Sequence, residues 1–308
     1  MRKFTNPRLS ASQLSILTGY TKARISQLKS GGIIKLDQGY FGLDAMQTLK
    51  KLKKSKIKNK IQVFANLKGG VGKTTLSSQY AMMASLMGFK VLAIDLDPQA
   101  QLTHQLSEKD LDFDYPTMYD AIIGDKNIED CILISTEPID FIPSNLGLTR
   151  IENPLLNKFR REYLLQTLLH NVTDHYDLIV IDTNPTPSIL NISAYVASNL
   201  IVVPCVTDYL PAHGLGIMLD NLHEIDSQLE TNLNICIVPN KHNKKQNIRQ
   251  EALDSLIKHY SHILSDTIIR GSTQIKEATK NRDSVFFQNK NSYGYVDILN
   301  LTKELLSK

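Results

Sequence analysis

The segment IQVFANLKGGVGKTTLSSQYAMMASLMG, residues 61–88, constrains this chain more than any other. A short apolar run leads into glycines at 69, 70 and 72, and a helical stretch begins directly behind them. Glycines let a backbone wrap closely around an anion with its N–H groups pointing inward, and the helix N-terminus that follows adds partial positive charge. Gly72-Lys73-Thr74 completes the G-x-x-x-x-G-K-[ST] phosphate loop, in which Lys73 reaches the β- and γ-phosphates of a nucleotide and the Thr74 hydroxyl ligates Mg²⁺. The general pattern also asks for a glycine six residues before that lysine. Leu67 stands there instead, and beside it is a second lysine, Lys68, for which the general pattern has no use.

A strand feeding a helix through such a loop belongs to an α/β chain, and the rest of the sequence agrees. IQVFAN, KVLAID, DLIVID, NLIVVPC and NICIVPN are β-branched-rich runs of strand length, with longer amphipathic stretches between them. Continuous apolar runs mark strands buried on both faces, and the alternation implies right-handed β-α-β crossovers. The expected fold is α/β, a doubly wound, mostly parallel sheet that takes its ligand at the carboxyl ends of its strands. The second run ends in Asp95 and Asp97 and the third in Asp182, so three carboxylates are expected around the phosphate loop. Strand alternation points Asp95 and Asp97 the same way. One can hold a Mg²⁺-bound water and the other orient the water that attacks the γ-phosphate, while Asp182 sits in the metal's outer shell.

These residues carry a resemblance. The K-G-G-x-G-K-T-T loop of residues 68–75, the D-x-D-P-Q strand end at Asp95 and the D-x-x-P element at Asp182–Pro185 are similar to those of the deviant Walker A ATPases, the ParA/MinD group. The similarity extends over about residues 60–308. It implies that Lys68 crosses an ATP-sandwiched homodimer to the phosphates held by the other subunit and acts there much as an arginine finger does. It further implies that Lys68, Gly69, Gly70, Val71, Gly72, Lys73, Thr74 and Thr75 bind the nucleotide and that Asn240 contacts the purine. By the same resemblance, Lys68, Lys73 and Asp97 serve hydrolysis, Thr74, Asp95 and Asp182 serve the metal, and ATP and Mg²⁺ are the cofactors. Asn184 departs from the group, where proline is more usual, and is expected to change the stiffness of the second switch without abolishing hydrolysis.

Charge divides the chain. Residues 1–60 carry fourteen Lys and Arg against two acids, Asp37 and Asp44, although the whole chain is only +4. A basic head on an acidic body points to nucleic acid or an anionic surface as the head's partner. Within it, ASQLSILTGYTKARISQLKSGG places Leu14, Leu17, Ile25 and Leu28 at helical spacing, broken at Thr18-Gly19 and restarted with Thr21 as N-cap. That is a helix-turn-helix arrangement, whose second helix, from about Lys22 to Lys29, presents Lys22, Arg24 and Gln27 to a major groove. IIKLDQGYFGL forms a small wing hairpin in this reading. The expected organisation is a DNA-binding head over 1–48 and a basic helix or linker over 49–60, with lysines at 50, 51, 53, 54, 56, 58 and 60. The ATPase domain then occupies 61–308. Arg249, Arg270, Lys276, Lys280 and Arg282 are further candidates for DNA contact.

Within the resembled group, such a head marks plasmid partition ATPases. These bind nonspecific DNA as ATP dimers, are released when a centromere-binding ParB-like partner stimulates hydrolysis, and in some cases repress their own operon. The function expected here is segregation of plasmid or chromosomal DNA by that cycle. Two other readings stand beside it, a nucleotide-sensing transcriptional repressor and a MinD-like membrane switch. The second needs a C-terminal helix that inserts into lipid, whereas Leu299, Leu301 and Leu305 of the tail are expected to pack on the sheet. No apolar run approaches the roughly 20 residues of a membrane helix, and the N-terminus lacks a signal-peptide core, so the chain reads as cytoplasmic, and the resemblance implies that it is nucleoid-associated. Cys131, Cys205 and Cys236 are scattered through apolar segments and read as core residues, not as a disulfide framework or a metal cluster.

Overall fold

In the computed structural model, residues 7–52, 57–107, 115–134, 139–207, 211–288 and 292–308 are described. Lys53, Lys54 and Lys56 of the expected linker lie outside them. Three helices come first, α1 (Ala11–Thr18), α2 (Lys22–Ser30) and α3 (Leu43–Leu52). The body follows as β1 (Lys60–Phe64), α4 (Lys73–Leu86), β2 (Val91–Asp95), α5 (Gln101–Leu106), α6 (Met118–Ile123), β3 (Ile139–Ile142), α7 (Glu152–Leu156), α8 (Leu164–Thr173) and β4 (Leu178–Asp182). It closes with α9 (Ile189–Ala197), β5 (Leu200–Val206), α10 (Pro211–Leu229), β6 (Ile235–Asn240), α11 (Asn247–Tyr260), α12 (Thr273–Lys280) and α13 (Tyr293–Ser307).

Among the described residues the six strands are all parallel, in the order β3-β2-β4-β1-β5-β6. The five apolar runs supply five of them. The sixth, β3, has four residues, IDFI, at the sheet edge, too short and too polar to register as a buried run. Alternation along the strands divides the core in two. Phe64, Val91, Ala93, Leu178, Val180 and Val202 face α4, α12 and α13. Val63, Leu92, Ile94, Ile179, Ile181 and Ile201 face α6, α8, α9 and α10. Leu299, Leu301 and Leu305 of α13 are buried in the first of these cores. Cys131, Cys205 and Cys236 are buried and form no disulfide. The register sets Phe64 beside Asp182 and Asp182 beside Asp95, so the carboxyl ends of three adjacent strands meet at one place.

Local chemistry accounts for the head. Ser10 and Gln13 form a capping box at the start of α1, Gly19 ends it at φ 70, and the Thr21 hydroxyl accepts the Arg24 N–H at 3.2 Å to start α2. Asp37 and Tyr40 exchange backbone hydrogen bonds of 2.8 and 2.9 Å around Gln38 and Gly39, both at positive φ, which is a two-residue hairpin turn. α3 runs through the expected 48/49 boundary because Leu49 belongs to the head's core with Leu14, Leu17, Ile25, Leu28 and Met46.

A helical unit this small is marginal alone, and its core continues into that of α4 and α13. The seam lies at the amino ends of the strands. Gly88 has φ +90, and a Cβ there would come 2.7 Å from the Met46 carbonyl oxygen. Lys50 pairs with Asp177 just before β4 and lies 4.7 Å from the centre of the Phe89 ring. Lys60 donates to the Leu306 carbonyl at 3.2 Å. Lys50 and Lys60 of the expected basic helix or linker are therefore fixed to the body. Gly88→Ala forces a side chain into that contact at a positive φ and is expected to cost about 1–3 kcal/mol. The expected readouts are a lower melting temperature and faster proteolysis between the head and β1; unchanged values for both would contradict this packing.

Candidate nucleotide site and basic head

β1 delivers the chain into a loop whose shape is set from outside. The Asn66 side chain donates to the Pro204 carbonyl at 2.8 Å and accepts the Lys68 N–H at 2.8 Å. Gly70 and Gly72 take φ +73 and +97, conformations that side-chain-bearing residues rarely adopt. Lys241 Nζ donates to the Gly70 carbonyl and Asn240 Nδ2 to the Val71 carbonyl, both at 2.7 Å. These bonds draw the loop's carbonyls toward β6. α4 starts at Gly72 with no side-chain cap, so its first N–H groups open into the loop, which is the arrangement that binds phosphate.

Asn240, expected on a purine, is engaged by the loop itself. Its Nδ2 holds Val71 and its Oδ1 accepts the Lys241 N–H at 2.8 Å, and a Cβ on Gly72 would meet that Nδ2 at 2.5 Å. It is a brace for the loop. It also forms one wall of a cleft of about 350 Å³ shared with Thr75, Ile275 and Lys276, directly beside the start of α4.

Behind the loop stand the carboxylates. Asp182 is fully buried and accepts the Thr74 hydroxyl at 2.6 Å and the Ser77 hydroxyl at 3.1 Å. Burial first, and then the charge of Asp95, push its pKa from 3.8 to about 8, against the pull of Thr74, Lys73 and Ser77. Burial also lowers the Lys73 ammonium from its usual 10.5, with Asp182 and then Asp97 pulling it back. A carboxylate that ionises reluctantly, facing a hydroxyl and an ammonium, gains a counter-charge if a divalent cation sits beside Thr74. The donor set therefore fits Mg²⁺.

Asp95 and Asp97 do not project together as strand alternation predicts, because β2 ends at Asp95. Asp95 Oδ2 accepts the Thr103 N–H and hydroxyl, both at 2.8 Å, and Oδ1 accepts the Asp97 N–H at 3.0 Å. Those bonds brace the turn that follows Asp95. Burial pushes its pKa up to about 6. Asp97 opens the Asp97-Pro98-Gln99-Ala100 turn, closed by the Ala100 N–H on the Asp97 carbonyl at 2.8 Å. Its carboxylate is only half-buried and caps the Gln99 N–H at 2.9 Å. Asn184 accepts from the Thr186 N–H and from Asn191 Nδ2, each at 3.0 Å, which pins the segment after Asp182. Lys68 is exposed at the rim of the loop with Gly69 and Gly70.

The candidate DNA contacts fall in two places. In α2, Lys22, Arg24 and Gln27 are exposed together. In the body, Lys276 and Lys280 are exposed on α12 and Arg282 follows it. The Arg270 guanidinium makes a two-pronged pair with buried Asp297 and stacks 4.0 Å from the Tyr293 ring centre. Arg249 donates to the Lys241 carbonyl and to Gln246, and so supports the turn that holds the loop. Ser77, Thr103 and Lys241 escaped sequence reasoning. Ser77 had a signal, lying one helical turn beyond Thr74 on the same face; Lys241 and Thr103 act through packing that no spacing records.

The model of the AAA domain family matches residues 59–235. The chain is 34% identical over 249 residues to the cell division protein PomZ of Myxococcus xanthus, covering 80% of this chain and 78% of PomZ. It is 29% identical over 248 residues to the sporulation initiation inhibitor protein Soj of Bacillus subtilis, covering 80% of this chain and 98% of Soj. A putative plasmid partition protein of Borrelia burgdorferi, solved with AMPPNP, shares the fold with a TM-score of 0.68 at 25% identity, covering 80% of this chain and 98% of that one.

The raised pKa of Asp182 has a measurable result. Without nucleotide, the folded chain keeps a proton there that the unfolded chain has given up. The associated stabilisation is complete below the ordinary 3.8 and is lost as pH rises through about 8. The melting temperature of the nucleotide-free protein is expected to fall from about pH 6 to about pH 9, and Asp182→Asn to flatten that slope. The same slope in the variant would contradict the assignment.

Proposed function

As a member of the AAA domain family and, within it, of the ParA/MinD group of deviant Walker A ATPases, this chain is one that we propose works as a partition ATPase, switching between ATP and ADP states on DNA. The observation that carries this reading is the doubled-lysine loop, with Lys73 buried over Asp182 and Lys68 exposed at the rim. ATP and Mg²⁺ are the ligands that fit. Loop N–H groups and Lys73 hold the phosphates, Thr74 and Asp182 hold the metal, and the cleft beside Thr75 and Asn240 takes the base. Mg²⁺, held there, would supply positive charge to offset that of the phosphates. Lys68 reaches out of its own subunit to the phosphates of a second copy, so the nucleotide joins the dimer. Asp97, on its turn at the edge of the site, orients the attacking water.

The head supplies one DNA surface through Lys22, Arg24 and Gln27, and Lys276, Lys280 and Arg282 supply another that is indifferent to sequence. A centromere-binding ParB-like protein stimulates hydrolysis and opens the dimer, and the head represses the chain's own operon. The resulting cycle segregates plasmid or chromosomal DNA in the cytoplasm on the nucleoid. The membrane-switch reading loses its main requirement, since the apolar face of α13 is already buried. Among the described residues no helix is long and apolar enough to cross a membrane.

Lys68→Gln is expected to keep ATP binding and lose ATP-dependent retention on DNA, read by filter binding; full ATP-dependent retention by that variant would contradict the shared site. Asp97→Ala is expected to lower turnover by about a hundredfold and to leave the chain locked on DNA in ATP. Phosphate release at the wild-type rate would remove Asp97 from its role.

A further inference from the structure

The head and the nucleotide loop occupy opposite poles of one body. The loop lies at the carboxyl ends of β1 and β4. The head is seated at the amino ends, where Met46 meets Gly88 and Lys50 meets Asp177. α4 joins the two poles, with Gly72 at the loop and Met87 and Phe89 against Leu17 and Leu49 of the head. The dock is made by the end of α1 and by α3. α2 keeps every residue except Ile25 and Leu28 exposed, including Lys22, Arg24 and Gln27.

This placement decides what a dimer can hold. In a dimer closed loop to loop across shared nucleotide, the two heads lie at its far ends. α4 alone, with fourteen residues, spans about 20 Å. Two of them end to end span about 40 Å before either head is added. Helix-turn-helix dimers that read one site set their recognition helices one helical turn, roughly 34–36 Å, or a multiple of it apart on one face of a duplex. Here a loop-to-loop dimer puts them more than one turn apart, on poles that both bodies separate. DNA stays stiff over about 50 nm, so a single short duplex cannot curl from one pole to the other.

We propose that the ATP dimer holds two separate duplexes, one on each head, and so bridges DNA segments instead of reading one palindrome. The inference rests on the loop-to-loop dimer and on DNA binding by the head. Nucleotide then controls bridging without changing either head's own grip. A chain without ATP occupies a single duplex, and dimerisation ties two together. The Asp37–Tyr40 hairpin stands in the same head as α2, and each pole carries a complete reading unit.

The test begins with a duplex selected from a random pool by the nucleotide-free full chain. It is used at an ionic strength where random DNA is not retained, which isolates the head from the sequence-indifferent surface. One copy is fixed to beads and a fluorescent copy is free. With a hydrolysis-resistant ATP analogue and Mg²⁺, beads carrying the wild-type chain are expected to capture the free duplex. The same chain with ADP and Mg²⁺ in place of the analogue is expected to bind the fixed duplex and capture about tenfold less or none, and the Lys22→Ala/Arg24→Ala chain to lose both binding and capture, by at least about tenfold. Light scattering on the same samples reports the dimer. A dimer that holds only one duplex overturns the polar arrangement and leaves the dimer reading intact. Capture that survives in the head variant overturns the head's part in it. If no ATP-dependent dimer forms, or no duplex can be selected, the underlying reading fails and the inference falls with it.

Discussion

A fully buried carboxylate, Asp182, bonded to Thr74 and Ser77, ties the end of β4 to the first turn of α4. That tie brings the strand ends and the helix N-terminus to one point, and the rest of the site follows from it. Burying a charge is costly unless it is paired, which is why the group's pKa moves up to about 8. The loop can keep its left-handed glycines because Asn240 and Lys241 hold its carbonyls from β6. Strain at the loop is thus supported from two strands and a helix, and nucleotide meets a cradle already in shape.

α4 makes this local arrangement a property of the whole chain. Its first turn belongs to the phosphate loop, its middle packs on the sheet and α13, and the residues just after its last turn meet the head. The head is therefore seated on the body by Lys50 on Asp177 and by Met46 on Gly88, with a core continuous with that of the sheet. A basic unit held in this way has a set orientation relative to the nucleotide, unlike one on a loose linker.

The sheet was legible because five of its strands are buried on both faces and so read as continuous apolar runs; β3, short and at the edge, does not. The loop was legible because glycines, Lys73 and Thr74 must follow one another in sequence to wrap a phosphate. Asp182 was found because a strand end is a place that sequence can mark. The hydrogen bonds of Asp95 and Asn240 were not, because they depend on Thr103 and Val71, which only the fold brings near. The same holds for Arg270. Its charge suggested a partner in solution, and the fold supplies one inside the chain, Asp297. The head's helices could be drawn from Gly19 and Thr21, but its seat on the body could not, because Gly88 carries no local sign that Met46 needs the room.

The account turns on nucleotide joining two copies of this chain through the loop that carries Lys68. Sedimentation velocity of the full wild-type chain, with Mg²⁺ and either ADP or ATP, measures this most directly. The account predicts one copy per particle with ADP and two with ATP. The same mass in both nucleotides would contradict it, because Lys68 would then have no second site to reach.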